Sequence, residues 1–173
     1  IKVALDLNID KKVIQKALPL LSFEGRFQYL NKGKIKNKLN RNELIMIDGA
    51  HATADAQNLA SYLKKIKIPK YGIWAMTKNK DPDLFIKQLK GVFKKIITMP
   101  IDNEVNSVSA QELYKVATEN KFNVEKSDNF AQALKKISSK EKKIIVCFGS
   151  LYNCGNILNQ NETCSLIQAE TVL

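Results

Sequence analysis

Four short apolar runs, each followed by a segment of a different period, constrain this chain more than any other feature. Leu44 to Ile47, Tyr71 to Met76, Lys95 to Met99 and Lys143 to Phe148 are rich in β-branched or aromatic residues and too short for helices. Runs of that kind are strands covered on both faces. The segments between them have helical character. Ala54 to Ile66 places Leu59, Tyr62, Leu63 and Ile66 on one stripe. Asp81 before Pro82 reads as an N-cap and first helical residue, with Leu84, Phe85 and Leu89 turned inward. Ser109 and Glu112 form a capping box for a helix reaching Glu119, and Asp128 to Ile137 is a further helix. Around this frame lie a helix from Lys11 to Leu18 and a strand-like stretch, Arg26 to Leu30, that turns at Asn31-Lys32-Gly33. A short strand at Phe122 to Val124 follows, then a last helix from near Leu151 that ends before a polar tail at Asn159 to Thr163.

Strands alternating with helices of this length predict βαβ units. The expected fold is therefore α/β, a Rossmann-like, mainly parallel sheet flanked by helices on both faces. Ligands of such sheets bind outside the carboxyl ends of the strands. Asp48-Gly49-Ala50-His51 follows the first long strand, Lys78 to Asp81 the second, and Gly149-Ser150 the last. These strand ends are expected to face one cleft. Trp74, Phe85, Phe93 and Phe148 fall at core positions, which makes them packing residues and not a platform for bases.

The formal charge of +11 invites a nucleic-acid partner, but all of the 28 basic residues except Arg26 and Arg41 are lysines. Bidentate recognition of phosphate and guanine favours the planar arginine fork. The lysines are also spread along the chain apart from Lys32, Lys34, Lys36 and Lys38, so the charge reads as a solvated face that can steer anionic substrates. Cys147, Cys154 and Cys164 are odd in number with no C-x-x-C pair, which argues against a disulfide framework and against zinc. Cys147 reads as a small core residue, and the set suits a reducing cytoplasm. No apolar run approaches the ~20 residues of a membrane span. At 173 residues the chain is sized for one domain with a flanking piece. Ile1 to Leu7 reads as the end of a helix, so residues 1–22 are expected to close a preceding domain or form linker helices, and 23–173 to form the α/β domain.

Five segments carry a family resemblance in this order: Gly25-Arg26-Phe27-Gln28; Ile47-Asp48-Gly49-Ala50-His51; Lys80-Asp81; Pro100 with Ser109 to Leu113; and Gly149-Ser150-Leu151-Tyr152 with Gly155. The chain resembles the C-terminal domain of folylpolyglutamate synthases and dihydrofolate synthases, relatives of the Mur ligases. That resemblance implies an ATP-dependent ligase that activates a folate or dihydropteroate carboxylate as an acyl phosphate and joins L-glutamate to it. It also implies a monomer whose phosphate-binding loop and Mg²⁺ ligands lie in an N-terminal domain. This chain contains no G-x-x-x-x-G-K-[ST] segment and no metal site is assigned to it, so it is expected to be inactive alone.

By the same resemblance, Arg26 reaches ATP phosphates and Asp48 binds nucleotide through a ribose hydroxyl. His51 lies near the incoming glutamate, where it holds a carboxylate or orients the amine. Ser150 contacts the glutamate carboxylate together with the amides that open the last helix. Each has a plainer alternative: a surface arginine, an N-cap for the next helix at Asp48, a structural histidine, and a cap at Ser150. Lys80 and Asp81 lie in a shared loop, where Asp81 already serves as a cap and Lys80 could sense an anion. The chain departs from the family pattern at Ala52-Thr53, where Asn-Pro is usual, at Glu24 for Pro, and at Asn79 for Asp. Two other functions compete: a Mur-type cell-wall ligase domain, and a non-catalytic nucleotide- or nucleic-acid-binding module.

Overall fold

The computed structural model describes residues 6–17 and 23–162. The elements in chain order are α1 (Lys11–Ala17), β1 (Gln28–Tyr29), α2 (Lys34–Lys38), β2 (Glu43–Asp48), α3 (Thr53–Lys64), β3 (Lys70–Trp74), α4 (Pro82–Lys87), β4 (Lys95–Thr98), α5 (Ala110–Glu119), β5 (Val124–Lys126), α6 (Phe130–Ile137), β6 (Lys143–Phe148) and α7 (Leu151–Asn161). The expectations for residues 1–5, Leu18, Thr163 and Cys164 lie outside the described residues.

The six strands form one sheet in the order β1-β2-β6-β3-β4-β5. All neighbours pair in parallel except the two-residue β1, which lies antiparallel to β2 at the edge with Gln28 opposite Ile47. This is the expected α/β sheet with an antiparallel edge added.

Period-2 alternation sends the strand residues into two separate cores. On one face Met46, Trp74, Ile96, Ile144, Val146 and Phe148 meet Leu59 and Leu63 of α3, Phe85 and Leu89 from α4 and its end, and Leu113 of α5. On the other, Ile45, Ile47, Ile73, Ile97, Ile145 and Cys147 meet Ile35 of α2, Phe130 and Leu134 of α6, and Cys154 and Ile157 of α7. Phe148 stacks against Phe93, Phe85 and Trp74, with ring centroids 5.1 to 6.4 Å apart, so these aromatics are packing residues as expected.

The caps expected at Asp81 and Ser109 form, and the helix expected from Asp128 starts at Phe130 with an unforeseen cap at Asn129. Asp81, Ser109 and Asn129 each accept a first-turn N–H of the helix they precede. Three expectations need correction. Leu84 is half exposed, because the turn that Asp81 caps directs Phe85 and Ile86 inward instead. The strand expected at Phe122 to Val124 forms two residues later, as β5. The final helix runs on to Asn161, whose side chain accepts the Ile35 N–H at 3.0 Å and donates to the Lys32 carbonyl at 2.9 Å.

At the amino ends of β2 and β6, Lys143 and Glu43 form a buried ion pair at 3.6 Å. Glu43 also accepts N–H groups from Asn40 and Ser139 and the Ser138 hydroxyl, and Lys143 donates to the Ile137 carbonyl. Burial pushes the Glu43 carboxyl up, but those donors outweigh it and hold it below the usual carboxylate range. No helix among the described residues is long and apolar enough to cross a membrane.

Candidate functional site

The carboxyl ends of β2, β6 and β3 bring most of the singled-out residues to one end of the sheet, and they line two neighbouring clefts instead of one. The first cleft, about 300 Å³, is lined by Arg26, Phe27, Asp48, Asp55 and Asn58. The second, about 210 Å³, is lined by His51, Thr77, Asn79, Lys80, Ser150, Leu151 and Tyr152. Asp81 lines neither: its carboxylate accepts the Leu84 N–H at 2.9 Å, the capping role.

Asp48 sits at the floor of the first cleft, 2% exposed. Oδ2 accepts the Phe27 N–H at 2.8 Å and Oδ1 accepts the Ala50 N–H at 2.8 Å. Asp48 is thus not the N-cap of α3, a position taken by Ala52. It ties the Arg26–Phe27 loop to the turn after β2. That loop needs a tie, because Phe27 has a φ of 45°, which is costly for an aromatic residue. The Phe27 ring packs on Tyr62 at 4.7 Å. Burial pushes the Asp48 carboxyl up; its two N–H donors and Arg26 pull it back, and Asp55 pushes it up again, for a net rise. Arg26 itself is exposed at the rim of the cleft.

In the second cleft, the His51 Nδ1 lies 2.7 Å from the Gly49 carbonyl oxygen. Ser150 is the N-cap of α7, accepting the Tyr152 N–H at 3.1 Å, and so stands at the positive end of an eleven-residue helix. Backbone geometry at Gly149 makes this approach possible. Its φ is +107°, and a Cβ there would lie 2.3 Å from the Ala75 carbonyl oxygen. Across the cleft, the Thr77 hydroxyl bonds Asn79 Oδ1 at 2.8 Å, bracing the loop that carries Lys80. A lysine, an imidazole, a serine hydroxyl and a helix N-terminus together form an anion-receiving surface.

Sequence reasoning missed Phe27 as a cleft residue, and also Asp55, Asn58, Thr77 and Tyr152. Only Asp55 left a signal, as an acid three residues after an N-cap position. Cys154 packs behind the Gly25 turn, and burial pushes its thiol up to about 12; burial also raises Cys147, so neither is a thiolate nucleophile. Among the described residues no group of three His, Cys, Asp or Glu side chains could hold a metal ion.

An open, mainly parallel sheet with helices on both faces and polar clefts at its carboxyl edge defines an α/β domain. Comparison with known families assigns it further: the profile described as dihydrofolate synthetase, C-terminal domain, matches residues 31–160, and the chain belongs to that family. A search of curated proteins found no match. Among solved structures it is similar to Mycobacterium tuberculosis folylpolyglutamate synthase complexed with ADP and AMPPCP, with a TM-score of 0.73 and 18% identity over 89% of this chain and 36% of that one. It is also similar to Escherichia coli FolC in complex with DHPP and ADP, with a TM-score of 0.70 and 18% identity over 87% and 34%. A third is a bifunctional folylpolyglutamate synthase/dihydrofolate synthase with Mn, AMPPNP and L-glutamate bound, with a TM-score of 0.69 and 18% identity over 87% and 34%. At such identities the likeness is one of fold, and the chain spans about a third of the length of these chains.

Proposed function

We propose that this chain is the C-terminal domain, residues 23–173, of an ATP-dependent ligase that adds L-glutamate to a folate or dihydropteroate carboxylate through an acyl phosphate. Its partner is an N-terminal P-loop domain, which supplies the Mg²⁺ ligands as well as most of the pterin site. The observation that carries this reading is the pair of adjoining clefts. One has a guanidinium over buried and half-buried carboxylates; the other has a lysine, a histidine and a capped helix N-terminus.

A nucleotide suits the first cleft. The Arg26 fork can clamp a phosphate in two-point fashion, and carboxylates accept sugar hydroxyls. Asp48 holds the Arg26 loop and keeps a lone pair on each oxygen for a hydroxyl. Glutamate suits the second, where Ser150 and the α7 amides receive a carboxylate and Lys80 adds charge. His51 faces the amine that must attack the acyl phosphate. The domain acts by closing over ATP held on its partner, which excludes water from the acyl phosphate.

The test is turnover of the complete two-domain ligase with a pterin substrate, ATP and glutamate. Arg26→Ala is expected to raise the KM for ATP, and His51→Ala or Ser150→Ala to raise the KM for glutamate. Wild-type kinetics in all three variants would overturn the assignment.

A further inference from the structure

Ala52 occupies the N-cap of α3 without a side-chain oxygen to offer the first turn. The turn is held from three residues further on. Oδ2 of Asp55 accepts the backbone N–H groups of His51 and Ala52, each at 3.3 Å, and lies 3.9 Å from His51 Nδ1. The Gly49 carbonyl 2.7 Å from Nδ1 can only accept, so the ring proton sits on Nδ1 and the neutral ring keeps a lone pair at Nε2. Asp55 also lines the Arg26 cleft, whereas His51 lines its neighbour. Its side chain is 32% exposed, and no group among the described residues donates to its Oδ1.

The Arg26 cleft therefore asks for a ligand with two features: an anion for the guanidinium, and hydroxyl donors for the carboxylate. A nucleoside phosphate has both. We infer that Asp55 is a positioning residue shared by the two clefts: Oδ2 holds the His51 turn while Oδ1 accepts a sugar hydroxyl of the nucleotide. Occupancy of one cleft is then felt at the histidine of the other. The histidine half of this inference stands without the nucleotide reading; the hydroxyl half rests on it.

His51 is the chain's one histidine, so its ring signals in ¹⁵N NMR need no assignment by mutation. With the ring neutral, the chain is expected to show Nδ1–H and bare Nε2; the Nε2–H tautomer would overturn the His51 half. Titration with ADP is expected to move the His51 ring signals, and saturation that leaves them unmoved would overturn the link between clefts. If only the complete two-domain ligase binds ADP, the His51 signals are read there; no ADP binding by either the chain or the ligase would remove the nucleotide reading and leave the tautomer result to decide the rest. Asp55→Ala is expected to mix the tautomers and to weaken ADP about tenfold, the loss of one hydrogen bond to a charged group. Asp55→Asn, which keeps an acceptor for the two backbone N–H groups, should retain the wild-type tautomer. Wild-type behaviour of Asp55→Ala in both measurements would refute the role, and if that variant does not fold, the wild-type tautomer and ADP titration still decide it.

Discussion

Replacing Asp48 by alanine tests whether this carboxylate is primarily a brace. The side chain is 2% exposed and holds two backbone N–H groups, those of Phe27 and Ala50, both at 2.8 Å. A hydrogen bond to a charged group is worth about 1.5–3 kcal/mol, so losing both costs about 3–6 kcal/mol. Part of that is returned. The carboxyl is shifted up by burial, which means that its ionised form is disfavoured in the folded chain. The net loss should then be about 3 kcal/mol. With a urea slope of about 2 kcal/mol/M, the unfolding midpoint falls by about 1.5 M. Asp48→Asn keeps one acceptor but aims an NH₂ at the second donor, and should lose about half as much. Equilibrium urea unfolding followed by circular dichroism reads both variants. A midpoint change in Asp48→Ala below about 0.5 M would refute the brace, and with it the claim that Asp48 holds Phe27 in its left-handed conformation.

The rest of the structure offers three further tests. Ala52→Ser supplies the oxygen missing from the half-formed capping box of α3 and should stabilise by about 1 kcal/mol, raising Tm by about 2–4 °C in a calorimetric scan. Because the Glu43 carboxyl is held below its unfolded value, its contribution is present above pH ~4.3 and lost as pH falls through the folded pKa. Asp48, shifted up, has the opposite sign, so its contribution is lost as pH rises. Glu43→Gln should therefore lower stability at neutral pH and flatten the decline below pH ~4.3, as read by urea unfolding across pH. Gly149→Ala drives a Cβ to 2.3 Å from the Ala75 carbonyl oxygen at a φ of +107°. It should cost about 2–4 kcal/mol by thermal unfolding and, in the proposed two-domain ligase, raise the KM for glutamate by moving Ser150.

The long strands were legible because their apolar, β-branched runs leave no choice of face: both are buried. The caps at Asp81 and Ser109 were legible because one side chain and one N–H define them. Tertiary contacts decided what was not. α2 is five residues, lysine-rich, with one buried side chain, Ile35; no period can be read from so little. α7 outlasts its apolar pattern because Asn161 is tied to the Lys32–Ile35 turn. The site divides in the same way. The strand-end rule found Asp48, His51 and Ser150, since it needs only the end of a run. It merged two clefts into one, because the lining is set by residues off the strand ends, among them Asp55, a helix residue whose partners are the backbone before it. Arg26 and Phe27 could be placed beside Asp48 only by the antiparallel pairing of β1 on β2.

The strand order carries a consequence for how the chain must assemble. β6, the last strand among the described residues, lies between β2 and β3 and pairs with both along its length. Until residues 143–148 leave the ribosome, the earlier strands hold two bare edges with nothing to join them. Closing the sheet therefore waits for a contact that spans about a hundred residues on the β2 side, with the slow rate that such distant pairings bring. The bare edges are exposed to edge-to-edge association from the emergence of β2 and β3 until β6 follows. A ribosome stalled before Lys143 should release an aggregating product, and one stalled after α7 has cleared the exit tunnel should release a soluble one.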